Sequence, residues 1–86
     1  MQFEFDPNKN EKNKEKHGID FIEAQKLWED SRSIGFRAKS DTEQRFTIIG
    51  MIEDKFWVGF YTLRDGKIRI ISVRRARKGE KTLYEG

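Results

Sequence analysis

The stretch Lys55-Phe56-Trp57-Val58-Gly59-Phe60-Tyr61-Thr62-Leu63-Arg64-Asp65-Gly66-Lys67-Ile68-Arg69-Ile70-Ile71-Ser72-Val73-Arg74 decides the fold. Two runs of β-branched and aromatic residues flank Asp65-Gly66. Asp-Gly between such runs signals a hairpin, because the favoured tight turn needs left-handed backbone at both central residues. A two-residue turn sets Arg64 opposite Lys67. Counting outward, Thr62 faces Arg69, Phe60 faces Ile71 and Val58 faces Val73, all on the face of Arg64. The other face pairs Leu63 with Ile68, Tyr61 with Ile70, Gly59 with Ser72 and Trp57 with Arg74. Both faces are apolar at mid-strand, so helices should cover part of each.

Upstream, residues 45–53 form a further strand, joined to the hairpin by a tight turn around Glu53-Asp54-Lys55. Residues 39–44 read as a polar loop, and residues 33–38 alternate through Ile34 and Phe36 as a strand. Asp20 opens a helix, with Glu23 placed to complete a capping box. Its apolar stripe is Phe21, Ala24, Leu27 and Trp28, and it should end near Glu29 or Asp30. Asp6-Pro7 opens an earlier helix that runs to about His17 and stops at Gly18. That helix has no apolar residue from Asn8 to His17. Its packing face, by helical spacing, is Asp6, Asn10, Asn13 and His17. A short strand over residues 2–5 precedes it. Downstream, residues 76–85 form a weak helix with Ala76, Leu83 and Tyr84 on one face, where Gly79 costs about 1 kcal/mol relative to Ala. The expected architecture is α+β, in the order β-α-α-β-β-β-β-α, with an antiparallel sheet packed by helices.

Composition sets limits on this plan. An 86-residue chain suits one small domain, here residues 1–86. The 21 Leu, Ile, Val and Phe residues make up about 24% of it, a little above the roughly 20% below which charged chains stay disordered. With no cysteine, no disulfide or zinc-thiolate site reinforces the core. No apolar run is long enough for a membrane span. Met1 leads straight into an acidic, alternating segment rather than a signal peptide, so a soluble cytoplasmic protein is expected. The net charge of +3 is unevenly placed: residues 67–86 carry +5, and the segments 1–20 and 21–66 carry −1 each. That concentration points to a local polyanion contact.

Arg64, Thr62 and Arg69 cluster at the turn end of one hairpin face, with Arg74 and Ser72 on the other beside Trp57 and Tyr61. Such arginines are ordinarily a solvated strand edge, and the aromatics are ordinarily core. Together, beside a basic tail, they also suit a phosphate backbone with unstacked bases. His17 is the only histidine. It is either a helix-end cation or a general acid or base. The helix-1 asparagines read as structural. One histidine without cysteine gives no metal ligand set, and no Walker, GxGxxG, GxSxG or HExxH motif occurs, so no metal or cofactor is expected.

Phe3-Glu4-Phe5-Asp6-Pro7-Asn8-Lys9, Asn13, Lys16-His17-Gly18-Ile19-Asp20-Phe21 and Glu23-Ala24 resemble the opening of the BrnT family of type II toxin–antitoxin toxins. Arg45-Phe46 with Ile49-Gly50 is similar to the family's central motif. Arg64 through Ala76, followed by Glu80 and Tyr84, is similar to its closing motif. The chain departs from the pattern in its helix 1 without apolar positions, its short 39–44 loop, and its end soon after Tyr84. The resemblance implies a RelE-like fold and metal-independent endoribonuclease activity that arrests growth. It implies a ribbon-helix-helix antitoxin like BrnA, a heterotetramer of two toxins and two antitoxins, and autoregulation at operator DNA through the antitoxin. By position, Lys16, His17, Arg64, Arg69, Ser72, Arg74 and Tyr84 match the family's polar motif positions and become candidate catalytic residues. Arg75, Arg77, Lys78 and Lys81 become candidate RNA-binding residues. Two rival readings stand beside this: a module that binds nucleic acid or protein without catalysis, and a degenerate toxin that only binds its antitoxin.

Overall fold

A computed structural model describes residues 1–38 and 44–86. The elements run β1 (Phe3–Glu4), α1 (Pro7–His17), α2 (Phe21–Ala24) continued by a 3-10 turn over Gln25–Glu29, β2 (Ile34–Ala38), β3 (Arg45–Ile52), β4 (Lys55–Arg64), β5 (Lys67–Arg75) and α3 (Lys78–Glu85). This is the expected α+β order. The expected loop at 39–44 lies, except for Gln44, outside the described residues.

Local chemistry sets the boundaries. The Asp6 carboxylate accepts the Asn8 N–H at 2.8 Å, Pro7 begins α1, and Gly18 ends it at φ 80° with its N–H on the Lys14 carbonyl. The Asp20 carboxylate accepts the Glu23 N–H at 2.8 Å and starts α2. Asp65 and Gly66 take φ 54° and 76°, the left-handed pair that a two-residue hairpin needs.

The sheet order is β1-β5-β4-β3-β2. From β2 to β5 it is antiparallel, but β1 pairs parallel to β5 through Phe3↔Ile68 and Glu4↔Arg69. The sheet is therefore mixed rather than wholly antiparallel. Period-2 alternation marks a strand but carries no direction, so β1's parallel course had no local signal.

The hairpin register holds from Arg64↔Lys67 through Thr62↔Arg69 to Tyr61↔Ile70. Phe60 then pairs with Ser72, Gly59 with Val73, Val58 with Arg74 and Trp57 with Arg75. Ile71 is the extra residue of a β-bulge, and the expected pairs Phe60–Ile71, Val58–Val73, Gly59–Ser72 and Trp57–Arg74 do not form. One inserted residue reverses the facing of everything beyond it.

One face of the sheet carries Ile48, Trp57, Tyr61, Ile68, Ile70 and Val73. These pack on Ile19, Phe21, Ala24 and Leu27 to form the main core. Gly59 is needed there, since a Cβ would come within 3.2 Å of both Leu27 and Ile48. Edge-to-face aromatic pairs, Phe3 with Trp28, Trp28 with Tyr61 and Phe5 with Phe21, close the β1 side. The opposite face, here the outer face, buries Ile49 and Val58 and receives α3 through Phe56 and Tyr84. Leu83 does not join that contact and is 57% exposed, because α3 starts at Lys78 and turns Glu80, Lys81 and Tyr84 inward instead. No helix among the described residues is long and apolar enough to cross a membrane.

Candidate active site

The bulge decides what the outer face of β5 presents. In the observed register Arg64, Lys67, Arg69, Ser72 and Arg74 share one face with Thr62, Phe60 and Val58. In an unbroken strand, Ser72 and Arg74 would point the other way, beside Trp57 and Tyr61, as the sequence alone suggests. It is Arg75 that meets Trp57, its guanidinium 5.4 Å from the ring centroid.

α1 lies along the edge of β5 where β1 has ended. It is held by side-chain amides rather than by an apolar stripe. Asn13, 6% exposed, accepts the Val73 N–H at 3.1 Å through Oδ1 and donates through Nδ2 to the Ile19 carbonyl at 2.9 Å. Asn10 Oδ1 accepts the Phe21 N–H at 2.7 Å. The expected packing face Asp6-Asn10-Asn13-His17 is the one in use. Between α1 and the bulge runs an open groove of about 180 Å³, lined by Lys9, Lys12, Asn13, Lys16, His17, Ile71 and Ser72. Lys16 and His17 thus meet Ser72, far away in sequence, in one place. Among the described residues, no hydrogen bond or ion pair engages the His17 imidazole.

The flanking cations are occupied. Arg69 Nη1 meets Glu4 Oε2 at 2.7 Å. Arg74 makes a two-pronged contact with Glu80, both prongs 2.8 Å, and lies 5.3 Å from the Phe60 ring centroid. Glu80 also accepts the Arg77 backbone N–H at 2.7 Å, which fastens the start of α3. Arg64 stands at the hairpin end, exposed. Tyr84 is not in the groove: its hydroxyl donates to Asp30 Oδ2 at 2.8 Å, and the same oxygen accepts the Met51 N–H at 2.8 Å. Arg75 donates through Nε to the Phe56 carbonyl, and Lys81 Nζ stands 5.8 Å from the Phe56 ring. Arg77 and Lys78 are exposed at the α3 start. Sequence reasoning passed over Lys9 and Lys12, whose signal was their helical spacing with Lys16, and Asp30, which no local pattern ties to Tyr84.

A family model described as "Ribonuclease toxin, BrnT, of type II toxin-antitoxin system" matches residues 5–80. The chain belongs to the BrnT family. A BrnT toxin acts on RNA and has an antitoxin, so the cationic outer face and groove have an expected anionic ligand. No curated protein matches the chain. Within the family's match fall Lys16, His17, Arg64, Arg69, Ser72 and Arg74, while Tyr84 lies beyond its last residue.

Two carboxylates tie α3 to this BrnT domain, and their titration makes the tie acid-sensitive. Hydrogen bonds from Arg74 hold the Glu80 carboxyl below its ordinary 4.5, against the upward push of burial. Burial pushes Asp30 up, but the Met51 and Arg32 N–H groups, the Tyr84 hydroxyl and the Arg32 charge outweigh it and hold it below 3.8. Both groups bind a proton more weakly folded than unfolded. Their stabilisation is therefore complete above the unfolded values and is lost as the pH falls through the lower, folded ones. Thermal melts from about pH 7 down to about pH 3 will show Tm falling below about pH 4.5, and Glu80→Gln will lower the neutral plateau and flatten the acid limb. An acid limb unchanged in Glu80→Gln would remove Glu80 from this account.

Proposed function

We propose that this BrnT toxin cleaves RNA in the groove between α1 and the bulged β5 without a metal ion. The ribose 2′-oxygen attacks the adjacent phosphorus and the P–O5′ bond breaks. The products are a 2′,3′-cyclic phosphate and a 5′-hydroxyl. A base takes the 2′-hydroxyl proton and an acid delivers one to O5′. His17 suits one of these proton transfers, and Lys16 and Ser72 line the same groove for contact with the phosphate. Arg64, Arg69 and Arg74 stabilise the charge that develops on the phosphorane, and Arg75, Arg77, Lys78 and Lys81 hold flanking RNA; Tyr84, held on Asp30 away from the groove, takes no part in the proton transfers. The observation that carries this reading is the bulge, which sets Arg69, Ser72 and Arg74 on one face beside the groove that holds Lys16 and His17. In the cytoplasm, a ribbon-helix-helix antitoxin would cover this basic side, in a complex of two toxins and two antitoxins that represses its own operator.

The test is cleavage of a single-stranded RNA by the purified chain in excess chelator, with the ends identified. Cyclic-phosphate and 5′-hydroxyl ends are expected at full rate. Cleavage abolished by chelator and restored by a divalent cation would sink the metal-free mechanism. A second reading, RNA binding without cleavage, draws on Glu4 and Glu80, which already neutralise Arg69 and Arg74. It predicts bound, uncut RNA in the same assay.

A further inference from the structure

The groove contains more positive charge than the chemistry needs. Lys9, Lys12 and Lys16 recur at i, i+3 and i+7 along α1, which sets them on one stripe of the helix, while Glu11 and Glu15 fall on the opposite side. Arg69 and Arg74 each have a carboxylate, but among the described residues these three ammonium groups make no ion pair or hydrogen bond. Like charges one helical turn apart repel, so the free chain holds this stripe at a small cost. The polarity of α1 has the same origin: the helix is fastened by Asn10 and Asn13, and this leaves the adjacent side open for charge.

We propose that Lys9 and Lys12, continued by Lys16, form a rail for the phosphates of a single RNA strand that flank the bond being cut. Lys9 to Lys16 covers about 10 Å of helix axis, the length of two or three nucleotides of backbone. The groove is open and bounded by one helix and one β-strand, so its lysines present a single line of charge, which suits one strand of phosphates. Flexible ammonium groups suit this task, since they meet phosphates as point charges without reading bases. Along the rail the toxin is therefore indifferent to sequence. The proposal rests on the groove being the cutting site, and it assigns Lys9 and Lys12 to holding the strand, with the proton transfers left to other residues.

The experiment measures binding of a short 2′-O-methyl oligoribonucleotide, whose nucleophile is blocked, across a salt series. The Lys9→Ala/Lys12→Ala double variant is expected to bind at least tenfold more weakly, with the slope of log K against log salt reduced by about 1.4, or about 0.7 per lost phosphate contact on a single strand. Lys14→Ala removes one positive charge from outside the groove and should leave the slope unchanged. Cleavage by the double variant at subsaturating RNA should fall by the same factor as its binding. A parental slope in the double variant, while the parent binds, overturns the rail. Equal binding of a blunt duplex of the same sequence overturns the single-strand assignment. No binding by the parent removes the cutting-site reading, and the rail with it.

Discussion

Asn13→Ala is expected to remove about 3 kcal/mol of stability, from two buried backbone groups left unpaired at roughly 1–3 kcal/mol each. Those groups are the Val73 N–H and the Ile19 carbonyl, which the one side chain satisfies together. At about 4–8 °C per kcal/mol for a domain of this size, Tm should fall by roughly 10–20 °C. Asn13→Leu restores the volume but neither hydrogen bond, so it should melt near the alanine variant and not near the parent. Asn13→Asp keeps an acceptor for Val73 but sets a carboxylate against the Ile19 carbonyl in a buried site, and should be worse than either. Circular-dichroism melts decide it: a loss of under about 3 °C for Asn13→Ala would mean that the amide does not hold α1 to the sheet.

His17→Ala separates two roles by which quantity moves. As a cation at the C-terminal end of α1, His17 contributes about 0.3–1 kcal/mol to stability and nothing to the chemistry. As the proton-transfer group it contributes about 10²–10⁴-fold to the cleavage rate and almost nothing to Tm. The absence, among the described residues, of any hydrogen bond to its imidazole favours the second, since truncation there breaks no hydrogen bond or ion pair of the fold. Single-turnover cleavage should fall at least a hundredfold with Tm within about 3 °C of the parent. His17→Gln, which keeps polarity without a titratable proton, should be equally slow. A near-parental rate for either variant would move the proton transfer to Lys16 or to another group.

Much of this arrangement can be read from the chain, and the misses have identifiable physical causes. Asp65-Gly66 places the hairpin because its backbone requirement is local and specific. Asp6-Pro7 and Asp20 place two helix starts for the same reason. The bulge at Ile71 leaves only the doubled Ile70-Ile71 as a trace, and a strand buried on both faces reads the same. The bulge becomes evident only when Asn13, sixty residues away, accepts the Val73 N–H. Arg69, Ser72 and Arg74, which share one face in the fold, are therefore divided between two faces when the strand is read as unbroken. The face of α1 was read correctly from spacing alone, although how a helix without apolar residues could dock was not. Of the face expected for α3, Tyr84 packs inward while Leu83 stays exposed, because the helix is fixed by the long-range partners of Glu80 and Tyr84, which no local pattern gives.

The parallel pairing of Phe3 with Ile68 also bears on the order of events during synthesis. The strands β2, β3, β4 and β5 are each bonded to their chain neighbour, so the meander can form by closing short loops as it emerges. The first strand and helix leave the ribosome early, yet their partner β5 begins fifty residues after α1 ends. Until it appears, α1 has neither an edge to lie against nor an apolar stripe to hold it elsewhere. A nascent chain therefore has no groove until β5 has emerged and the Asn13 amide can take the Val73 N–H.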